Sequence, residues 1–301
     1  MTDKIIVSSS SDPYVNIATE REIVSFGGFP RLFLWQNDKT VVIGRNQNPY
    51  SECDLDYMNR EKILLARRFS GGGAVFHDLG NINYTLYFAG NEPDMETIGM
   101  FLKEVCYNIG FGSRLSGKND LVYEGKKFSG HAFYECDGVI VFHGTFMVDV
   151  DLDMMQKSLK PPAVKIISKG IDSVRSRVVN LASIVPGLTT DIVKEAFIKA
   201  FTTVFACDEK PVFTGAIKYD ETLKDRLLGK DWLYGETPEF SIKLEKRIQE
   251  GTVSVLLDIR DNLIKNAKIY SDSLRNDWQE IEKTLIGTTY SEDKVWKIIR
   301  E

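Results

Sequence analysis

Three consecutive glycines, Gly71–Gly73, lie between two arginines and a His–Asp pair in the stretch RRFSGGGAVFHD. Consecutive glycines allow several backbone N–H groups to approach one anion, because no Cβ stands in the way. Taken alone, the glycines fit a flexible β-turn better than a binding site, since short motifs often mislead. The arginines, Ser70 and His77 change that balance, because a guanidinium can hold a phosphate or a carboxylate. The whole stretch therefore predicts an anion site.

The stretch matches neither of the two common nucleotide-binding loops. It lacks the G-x-G-x-x-G spacing that opens a helix after a strand, and no G-K-[ST] follows the glycines. Strand alternation would send the side chains of Arg67 and Arg68 to opposite faces, so we expect only one of them to reach a ligand. His77 alone fits a structural role better than a catalytic one. His131 and His143 also lie beside glycines, which is compatible with one shared cleft.

A second group of polar residues lies in GKNDLVYEGKKFSG. Alternation along a strand would turn Lys127 and Ser129 to the same face, with Lys126 and Phe128 on the other. A lysine pair at a hairpin tip is usually just solvated, but an inward Lys127 beside an anion site would stabilise developing negative charge. One such donor contributes about 3–4 kcal/mol to a transition state. Asp120 is a candidate Mg²⁺ contact, although a turn aspartate more often caps backbone N–H groups.

The surrounding sequence predicts the elements that must position these residues. KILLARRF and NINYTLYF indicate strands on either side of the glycines, and RLFLW and TVVIG, separated by QNDK, predict a hairpin. DLVYEGKKFSGHAFYE and GVIVFHGTFMVDV predict paired strands with turns at Glu124–Gly125 and Asp137–Gly138. Three segments have helical periodicity: the one after Asp12–Pro13, METIGMFLKEVCYNIGF, and TTDIVKEAFIKAFTTVF. The third is the clearest, and Thr190 is its expected N-cap.

The sequence changes character near LLGKDWLYGETPEF, where Gly235 and Pro238 punctuate a polar segment that we interpret as a linker. We therefore predict a large domain of residues 1–237 and a small C-terminal domain of residues 238–301. Three strand-like runs and a helical tail from about Asn276 make up the second. The predicted class is α+β, with a large mixed-sheet domain followed by a small α+β domain.

The bulk composition is that of a globular protein. Hydrophobic residues make up 43% of the 301 residues, charged residues make up 27%, and the net charge is −5. No basic stripe is present, which argues against nucleic acid as a partner. No apolar run approaches the roughly 20 residues of a membrane span, and the N-terminus lacks a secretory signal. The four cysteines form no C-x-x-C pair, which is more typical of a reducing cytoplasm than of a disulfide-bonded protein. Together these features predict a cytoplasmic protein without a membrane partner.

Several of these motifs, in this order, resemble the lipoate–protein ligase A family. The resemblance rests on RRFSGGGAVFHDLGN, KNDLVYEGKKFSG and KGIDSVRSRVVNL, and it extends to NIATERE, FLWQNDKTVVIGRNQNPY and HGTFMVDVDLDMMQKSL. It implies a fold of the biotin/lipoate ligase type, with a large mixed β-sheet domain, flanking helices and a small α+β C-terminal domain. It also implies a two-step reaction. Lipoate and MgATP first give lipoyl-adenylate, and the lipoyl group then passes to a lysine of an acceptor domain.

The resemblance also implies roles for individual residues. Lys127 would be the catalytic residue, contacting both the lipoate carboxylate and the α-phosphate. ATP and the adenylate would be bound by Arg68, Gly73, Ala74, Val75, Phe76, Lys127 and Asp120, with Asp120 also the Mg²⁺ contact. Lipoate would be bound by Glu20, Ser70, Gly72, His77 and Lys127. KGIDSVRSRVVNL resembles a loop that closes over the adenylate, with Lys169, Gly170, Ser173 and Arg175 as its predicted contacts.

The implied acceptors are the lipoyl domains of 2-oxoacid dehydrogenase E2 subunits and the glycine cleavage H protein. Two alternatives stay open. An ATP-independent octanoyl or lipoyl transferase would use a cysteine nucleophile, for which Cys53, Cys106 and Cys136 are candidates; a non-enzymatic carrier would hold lipoyl-adenylate without making it. The Lys127 motif and the closing-loop segment favour the ligase. We also expect alanine at Gly72 or Gly73 to block the ligand more than it harms folding.

Overall fold

The computed structural model describes residues 3–90, 92–111, 114–116, 120–160, 178–214, 220–234, 242–260 and 263–300. The strands in this part of the chain are β1 (Ile5–Val7), β2 (Arg31–Trp35), β3 (Thr40–Ile43), β4 (Leu64–Arg67), β5 (Val75–His77), β6 (Asn81–Ala89), β7 (Arg114–Ser116), β8 (Asp120–Tyr123), β9 (Lys126–Cys136), β10 (Val139–Met147), β11 (Val212–Phe213), β12 (Ile242–Arg247), β13 (Thr252–Arg260) and β14 (Leu263–Ser271). The α-helices are α1 (Pro13–Ile23), α2 (Pro49–Glu52), α3 (Leu55–Arg60), α4 (Met95–Asn108), α5 (Leu152–Ser158), α6 (Thr190–Phe205), α7 (Glu221–Leu228), α8 (Lys230–Tyr234), α9 (Trp278–Leu285) and α10 (Glu292–Arg300).

Two sheets face each other in the first part of the chain. The larger has the order β11-β1-β2-β6-β10-β9-β8-β7, with β1 parallel to β2 and β11 and the other neighbours antiparallel. The smaller sheet, β4-β3-β5, packs across one face, where Val41 and Ala66 share a buried cluster with Phe33 and Trp35. α4 and α6 cover the other face through a second cluster that includes Phe101. The predicted α+β class with a large mixed sheet is confirmed.

The predicted hairpin between RLFLW and TVVIG is wrong. β2 belongs to the larger sheet, whereas β3 pairs with β4 and β5 in the smaller one. Every residue of both strands is buried, so neither strand shows the alternation that fixes the register of a hairpin. The intervening QNDK therefore carries the chain from one sheet to the other.

The strands around the two polar motifs are confirmed. The glycine run connects β4, which ends at Arg67, to β5, which begins at Val75. β8, β9 and β10 form an antiparallel series. Its turns lie at Glu124–Gly125 and Asp137–Gly138, where all four residues have positive φ. The glycine loop thus connects the two outer strands of the smaller sheet, whereas Asp120 and Lys127 lie in the paired strands β8 and β9.

One prediction about side-chain direction in β9 is wrong. The ladder between β8 and β9 shifts at Phe128, an extra residue that interrupts the alternation of faces. Ser129 is fully buried beside Tyr84 in the core. Lys127 instead shares a face with Gly130, since a Cβ at Gly130 would lie 2.5 Å from the lysine Nζ. Lys127 and Ser129 therefore point in different directions.

Two helix starts illustrate how closely capping follows the sequence. α1 begins as predicted, with Asp12 accepting a hydrogen bond from the Tyr14 N–H and a proline in the first turn. α6 is capped by Thr189 rather than by the predicted Thr190, because Thr189 keeps extended backbone angles and accepts from the Ile192 N–H at 3.3 Å. Adjacent threonines satisfy the capping rule equally well, so sequence alone does not separate them.

The last part of the described chain forms its own layer. β12, β13 and β14 make an antiparallel sheet on which α9 and α10 pack through Trp278 and Trp296. The predicted helical tail is two helices, separated by a turn at Gly287 with a φ of +81°. The predicted boundary between residues 237 and 238 lies outside the described residues, so the division into two domains stays a prediction. Among the described helices, none is long and apolar enough to cross a membrane.

Candidate functional site

A cavity of about 810 Å³ lies between the two facing sheets and reaches the C-terminal sheet. Its volume is in the range of sites for small molecules. Most predicted site residues line it: Glu20, Arg68, Gly72, Gly73, Ala74, Val75, Phe76, His77, Asp120 and Lys127. Ser70 is buried behind the glycines and is not part of the lining. The predicted closing-loop residues, Lys169, Gly170, Ser173 and Arg175, lie outside the described residues.

The guanidinium of Arg68 holds the glycine loop in shape. It donates hydrogen bonds to the carbonyl oxygens of Gly71 at 2.7 Å and Gly73 at 2.8 Å, and to that of Val42 in β3 at 3.2 Å. Burial lowers the pKa of Arg68 to about 10, so the group stays charged at neutral pH. Arg68 contacts the loop backbone, and its predicted contact with a nucleotide stays a prediction.

The three glycines are required for different reasons. A Cβ at Gly71 would overlap the carbonyl oxygen of Ser273, two residues after β14. Gly72 has a φ of +90°, and a Cβ there would lie 2.8 Å from the Arg68 guanidinium. A Cβ at Gly73 would have no atom within 4 Å. Folding gives a reason for glycine at Gly71 and Gly72. That alanine at Gly72 blocks the ligand more than it harms folding stays a prediction. Access for a ligand is the remaining reason for Gly73.

Arg67 points the other way, as alternation predicts, and ties three segments together. Its guanidinium donates to the carbonyl oxygens of Trp232 and Leu233 at 2.7 Å each. It also donates to three carbonyl oxygens of the turn after β3, those of Gly44, Arg45 and Gln47. The Trp232 indole N–H returns a bond to the Arg67 carbonyl oxygen at 3.0 Å. The start of the segment interpreted as a linker is therefore helical, as part of α7 and α8, and its Leu227, Trp232 and Leu233 are buried.

The buried end of the cavity, which we define as Glu20, His77 and His143, is organised around the Glu20 carboxylate. His143 Nδ1 donates to Glu20 Oε1 at 2.9 Å, and Thr85 donates to the same oxygen at 2.7 Å. His143 Nε2 lies 2.6 Å from Ser70 Oγ, which accepts from Arg68 Nε at 3.0 Å. A continuous set of hydrogen bonds therefore joins the buried end to the glycine loop. The second oxygen, Glu20 Oε2, has no partner among the described residues.

His77 is neutral in this environment. Burial, followed by the charges of Arg68 and His143, lowers its pKa to about 3. The side-chain amide of Asn37 donates to His77 Nδ1 at 3.2 Å, so the proton of the neutral ring is on Nε2. His77 lines the cavity, and its Nε2 has no acceptor among the described residues. The buried end thus holds one acceptor and one donor without partners among the described residues, inside a network of polar side chains.

The open end of the cavity, which we define as Lys127 and Asp120, is built differently. Lys127 Nζ lies 2.7 Å from Asp120 Oδ1, and the two side chains are 38% and 42% exposed. Asp120 is one carboxylate, and Mg²⁺ is commonly held by one or two carboxylates with substrate phosphates and water. Elsewhere in the described chain, no group of three acidic, histidine or cysteine side chains could hold a metal ion. Asp120 therefore fits a metal that arrives with a nucleotide.

Sequence reasoning missed several residues that shape the site. Thr85 and Asn37 hold Glu20 and His77, and Trp35 donates its indole N–H to Thr85 Oγ1 at 3.1 Å. Each is a buried residue with a polar group in or beside an apolar strand, which is the one signal the sequence carries for such a role. Periodicity does not identify the partner, because the partners come from distant strands.

The four cysteines all lie in the described chain, and none lines the cavity. Cys53 is buried, and burial raises the pKa of its thiol to about 12, which suppresses the nucleophilic thiolate. Cys106 lies in α4 and packs into the core. These observations remove the support for a transferase that uses a cysteine nucleophile.

The sequence model of the lipoyl protein ligase A/B catalytic domain matches residues 12–202, and that of the bacterial lipoate protein ligase C-terminus matches residues 237–301. The chain belongs to this ligase family. Lipoate-protein ligase A of Bdellovibrio bacteriovorus is 37% identical over 305 residues, which cover 97% of this chain and 90% of that protein. The resemblance seen in the motifs is confirmed, and the chain is an enzyme of the ATP-dependent ligase type.

Solved structures of ligases share the fold. P. falciparum LipL1 in complex with lipoate has a TM-score of 0.82 at 26% identity, covering 99% of this chain and 94% of that one. A bi-partite lipoate protein ligase from Thermoplasma acidophilum, described with its E2 lipoyl domain, has a TM-score of 0.68 at 28% identity and covers 80% of this chain and 100% of that one. A lipoate-protein ligase A bound with ATP has a TM-score of 0.65 at 26% identity and covers 77% and 97%. The predicted ligase fold is confirmed.

Proposed function

We propose that this cavity joins lipoate to ATP as lipoyl-adenylate and passes the lipoyl group to a lysine of a lipoyl domain. One observation carries the proposal: the glycine loop and Lys127 line the same cavity, which continues to the buried end. A cavity with a lysine at its open end and with Trp35, Val42 and Met147 in its lining fits a substrate with a carboxylate at one end and a hydrocarbon chain at the other. The predicted site residues are assigned on that basis.

Lipoate enters with its dithiolane ring at the buried end. His77 Nε2 can donate to a ring sulfur, and its indole neighbour Trp35, whose ring centre lies 6.1 Å from that of His77, supplies apolar surface. Gly72, Glu20 and Ser70 complete this end, Ser70 through its bond to His143 rather than by contact. The carboxylate then reaches the open end beside Lys127. The ligand thus spans the two regions that the hydrogen bonds already connect.

In the first step a carboxylate oxygen attacks the α-phosphorus of ATP. The bond from that phosphorus to the bridging oxygen breaks, and pyrophosphate leaves. Lys127 lies between the two anions, where its ammonium reduces their repulsion and stabilises the charge of the displacement. Mg²⁺ would neutralise phosphate charge, with Asp120 as its protein contact. Arg68, Gly73, Ala74, Val75 and Phe76 would hold the nucleotide.

In the second step the amine of the acceptor lysine attacks the acyl carbon. The bond from that carbon to the phosphate oxygen breaks, AMP leaves, and the amine loses a proton. We propose that the segment with Lys169, Gly170, Ser173 and Arg175 closes over the adenylate between the two steps. Its flanks support this, because Lys160 and Val178 both line the cavity.

The acceptor is a lipoyl domain, and we propose that its sources are E2 subunits of 2-oxoacid dehydrogenases and the glycine cleavage H protein. No basic stripe marks a site for nucleic acid. All four cysteines are free, which supports a reducing compartment, and we propose the cytoplasm.

Lipoate-dependent exchange of pyrophosphate into ATP tests the first step directly. Lys127→Ala should slow exchange by about 100- to 1000-fold, since it removes a donor from the transition state. Lys126→Ala is the matched control, because Lys126 is exposed and next in sequence. Absence of exchange in the wild type would contradict the ligase assignment. Equal exchange in both variants would remove Lys127 from its proposed role.

A further inference from the structure

Gln47 lies in the cavity wall, in the turn between β3 and α2, and none of the roles above includes it. Its side chain is 1% exposed and lines the cavity. The amide nitrogen Nε2 has no acceptor among the described residues. A buried donor without a partner costs about 1–3 kcal/mol, so a fold keeps one where something else supplies the acceptor.

The orientation of the Gln47 amide is fixed by its surroundings. The Gly44 N–H donates to Gln47 Oε1 at 2.9 Å. Because a backbone N–H can only donate, the amide oxygen must face Gly44 and the NH₂ group must face away. The Gln47 backbone is also held, since its carbonyl oxygen accepts from Arg67 Nη1 at 2.7 Å. The donor is therefore pre-organised before any ligand arrives.

The same contacts place the amide beside the glycine loop. A Cβ at Gly44 would overlap the carbonyl oxygen of Gly72. The Arg45 N–H donates to the Ser70 carbonyl oxygen at 2.8 Å, so the two turns are bonded to each other. Gln47 holds Gly44 directly and lines the cavity next to the loop, and its NH₂ group faces away from Gly44.

We propose that Gln47 Nε2 binds a non-bridging phosphate oxygen of the nucleotide and of the acyl-adenylate. The assignment rests on the proposed function. Two observations favour a phosphate oxygen. The donor adjoins the anion site, and the Arg68 guanidinium in that site is already taken up by the carbonyl oxygens of Gly71 and Gly73. The anion therefore needs donors in addition to Arg68, and Gln47 Nε2 is a buried donor without an acceptor among the described residues.

Calorimetric binding of three probes to Gln47→Glu tests this. Glutamate keeps an oxygen for the Gly44 N–H and keeps the side-chain length, but it replaces the donor with an anion. AMP and an acyl-sulfamate analogue of lipoyl-adenylate should bind about tenfold or more weakly, as expected for losing a bond to a charged group. Lipoate alone should bind within about twofold of wild type. Gln36→Glu is the control, because Gln36 does not line this cavity.

A second variant keeps the proposal testable if Gln47→Glu does not fold. Gln47→Leu removes the donor without adding charge and should also weaken AMP binding. Unchanged AMP binding in a folded variant overturns the proposal, and so does a loss confined to lipoate. Failure of the proposed function is distinguishable, because it would appear as absent exchange in the wild type with Gln47 intact.

Discussion

The buried end and the open end of the cavity are constructed in opposite ways. At the buried end, Glu20 receives two hydrogen bonds, and His143 connects it through Ser70 to Arg68. At the open end, Lys127 forms an ion pair with Asp120, and both side chains are more than one-third exposed. An exposed ion pair contributes about 0–1 kcal/mol, whereas breaking a buried network leaves groups that water does not reach.

The difference shows that folding alone fixes the hydrogen bonds of the buried end, whereas the contacts of the open end are completed by the ligand. The buried end is set when the sheets pack, so the apolar part of a substrate meets a shape that already exists. The open pair can exchange partners when two anions arrive. Substitutions at the buried end should therefore act on stability, and substitutions at the open end should act on catalysis.

The largest change in stability is expected at Arg68, which bonds through Ser70 to the buried end of the cavity, and it tests this contrast. Arg68→Met leaves the Gly73 carbonyl oxygen without its donor and leaves that of Gly71 with only the longer bond from the Ser70 hydroxyl, and we expect a loss of about 3 kcal/mol in the free energy of unfolding. Urea denaturation measures it. Arg21→Met is the control, since Arg21 makes a surface pair with Asp137 and should cost less than about 1 kcal/mol. Equal losses in the two variants would contradict the contrast.

A second effect concerns acid sensitivity and arises from His77. Its pKa is about 3 in the folded chain, well below its usual value near 6.5, so the unfolded chain binds the extra proton first. His77 therefore destabilises the fold as pH falls from about 6.5 toward 3, by up to about 1.4 kcal/mol per pH unit. Thermal denaturation from pH 7.5 to 4.5 should show a shallower pH dependence for His77→Gln. An identical dependence in both proteins would refute the neutral buried histidine.

The smallest stability effect is expected within the glycine loop, at Gly73. Comparing it with Gly71 tests whether neighbouring residues of one loop separate into a binding position and a folding position. Gly73→Ala should change the free energy of unfolding by less than about 0.5 kcal/mol, because no atom lies within 4 Å of the new Cβ. It should nevertheless weaken AMP binding, since the methyl group enters the cavity. Gly71→Ala should do the reverse and lower stability through its overlap with Ser273. Equal melting temperatures for the two variants would show that Gly71 and Gly73 do not differ in their importance for folding.

Sequence alone predicted the parts of this molecule that depend on local rules. The glycine loop between strands, the turns at Glu124–Gly125 and Asp137–Gly138, and the start of α1 all follow from turn and capping chemistry. The α+β class and the ligase family follow from the same motifs in order. The residue roles implied by the family, including those of Lys127 and Asp120, stay predictions.

The features that sequence could not predict depend on contacts between distant segments. The extra residue at Phe128 turns Ser129 away from Lys127, and period-two reasoning has no means of anticipating a bulge. QNDK resembles a hairpin turn because it is short and polar, yet β2 and β3 find partners elsewhere. Gln47 carries no local signal at all. Its significance comes from Gly44 and Gly72, which meet only after β3 has paired with β4 and β5.

Arg67 has a consequence for how this protein tolerates change over evolutionary time. All five hydrogen bonds of its guanidinium go to main-chain carbonyl oxygens, in the turn after β3 and in α8. Every amino acid provides such an oxygen, so these five bonds do not depend on the side chains of those segments; among those side chains, Trp232 bonds to Arg67 in return, through its indole N–H. The distances are not open to change, because an inserted or deleted residue would move the oxygens out of reach. We therefore expect these segments to keep their length and to vary in composition at positions other than Gly44, Gln47 and Trp232.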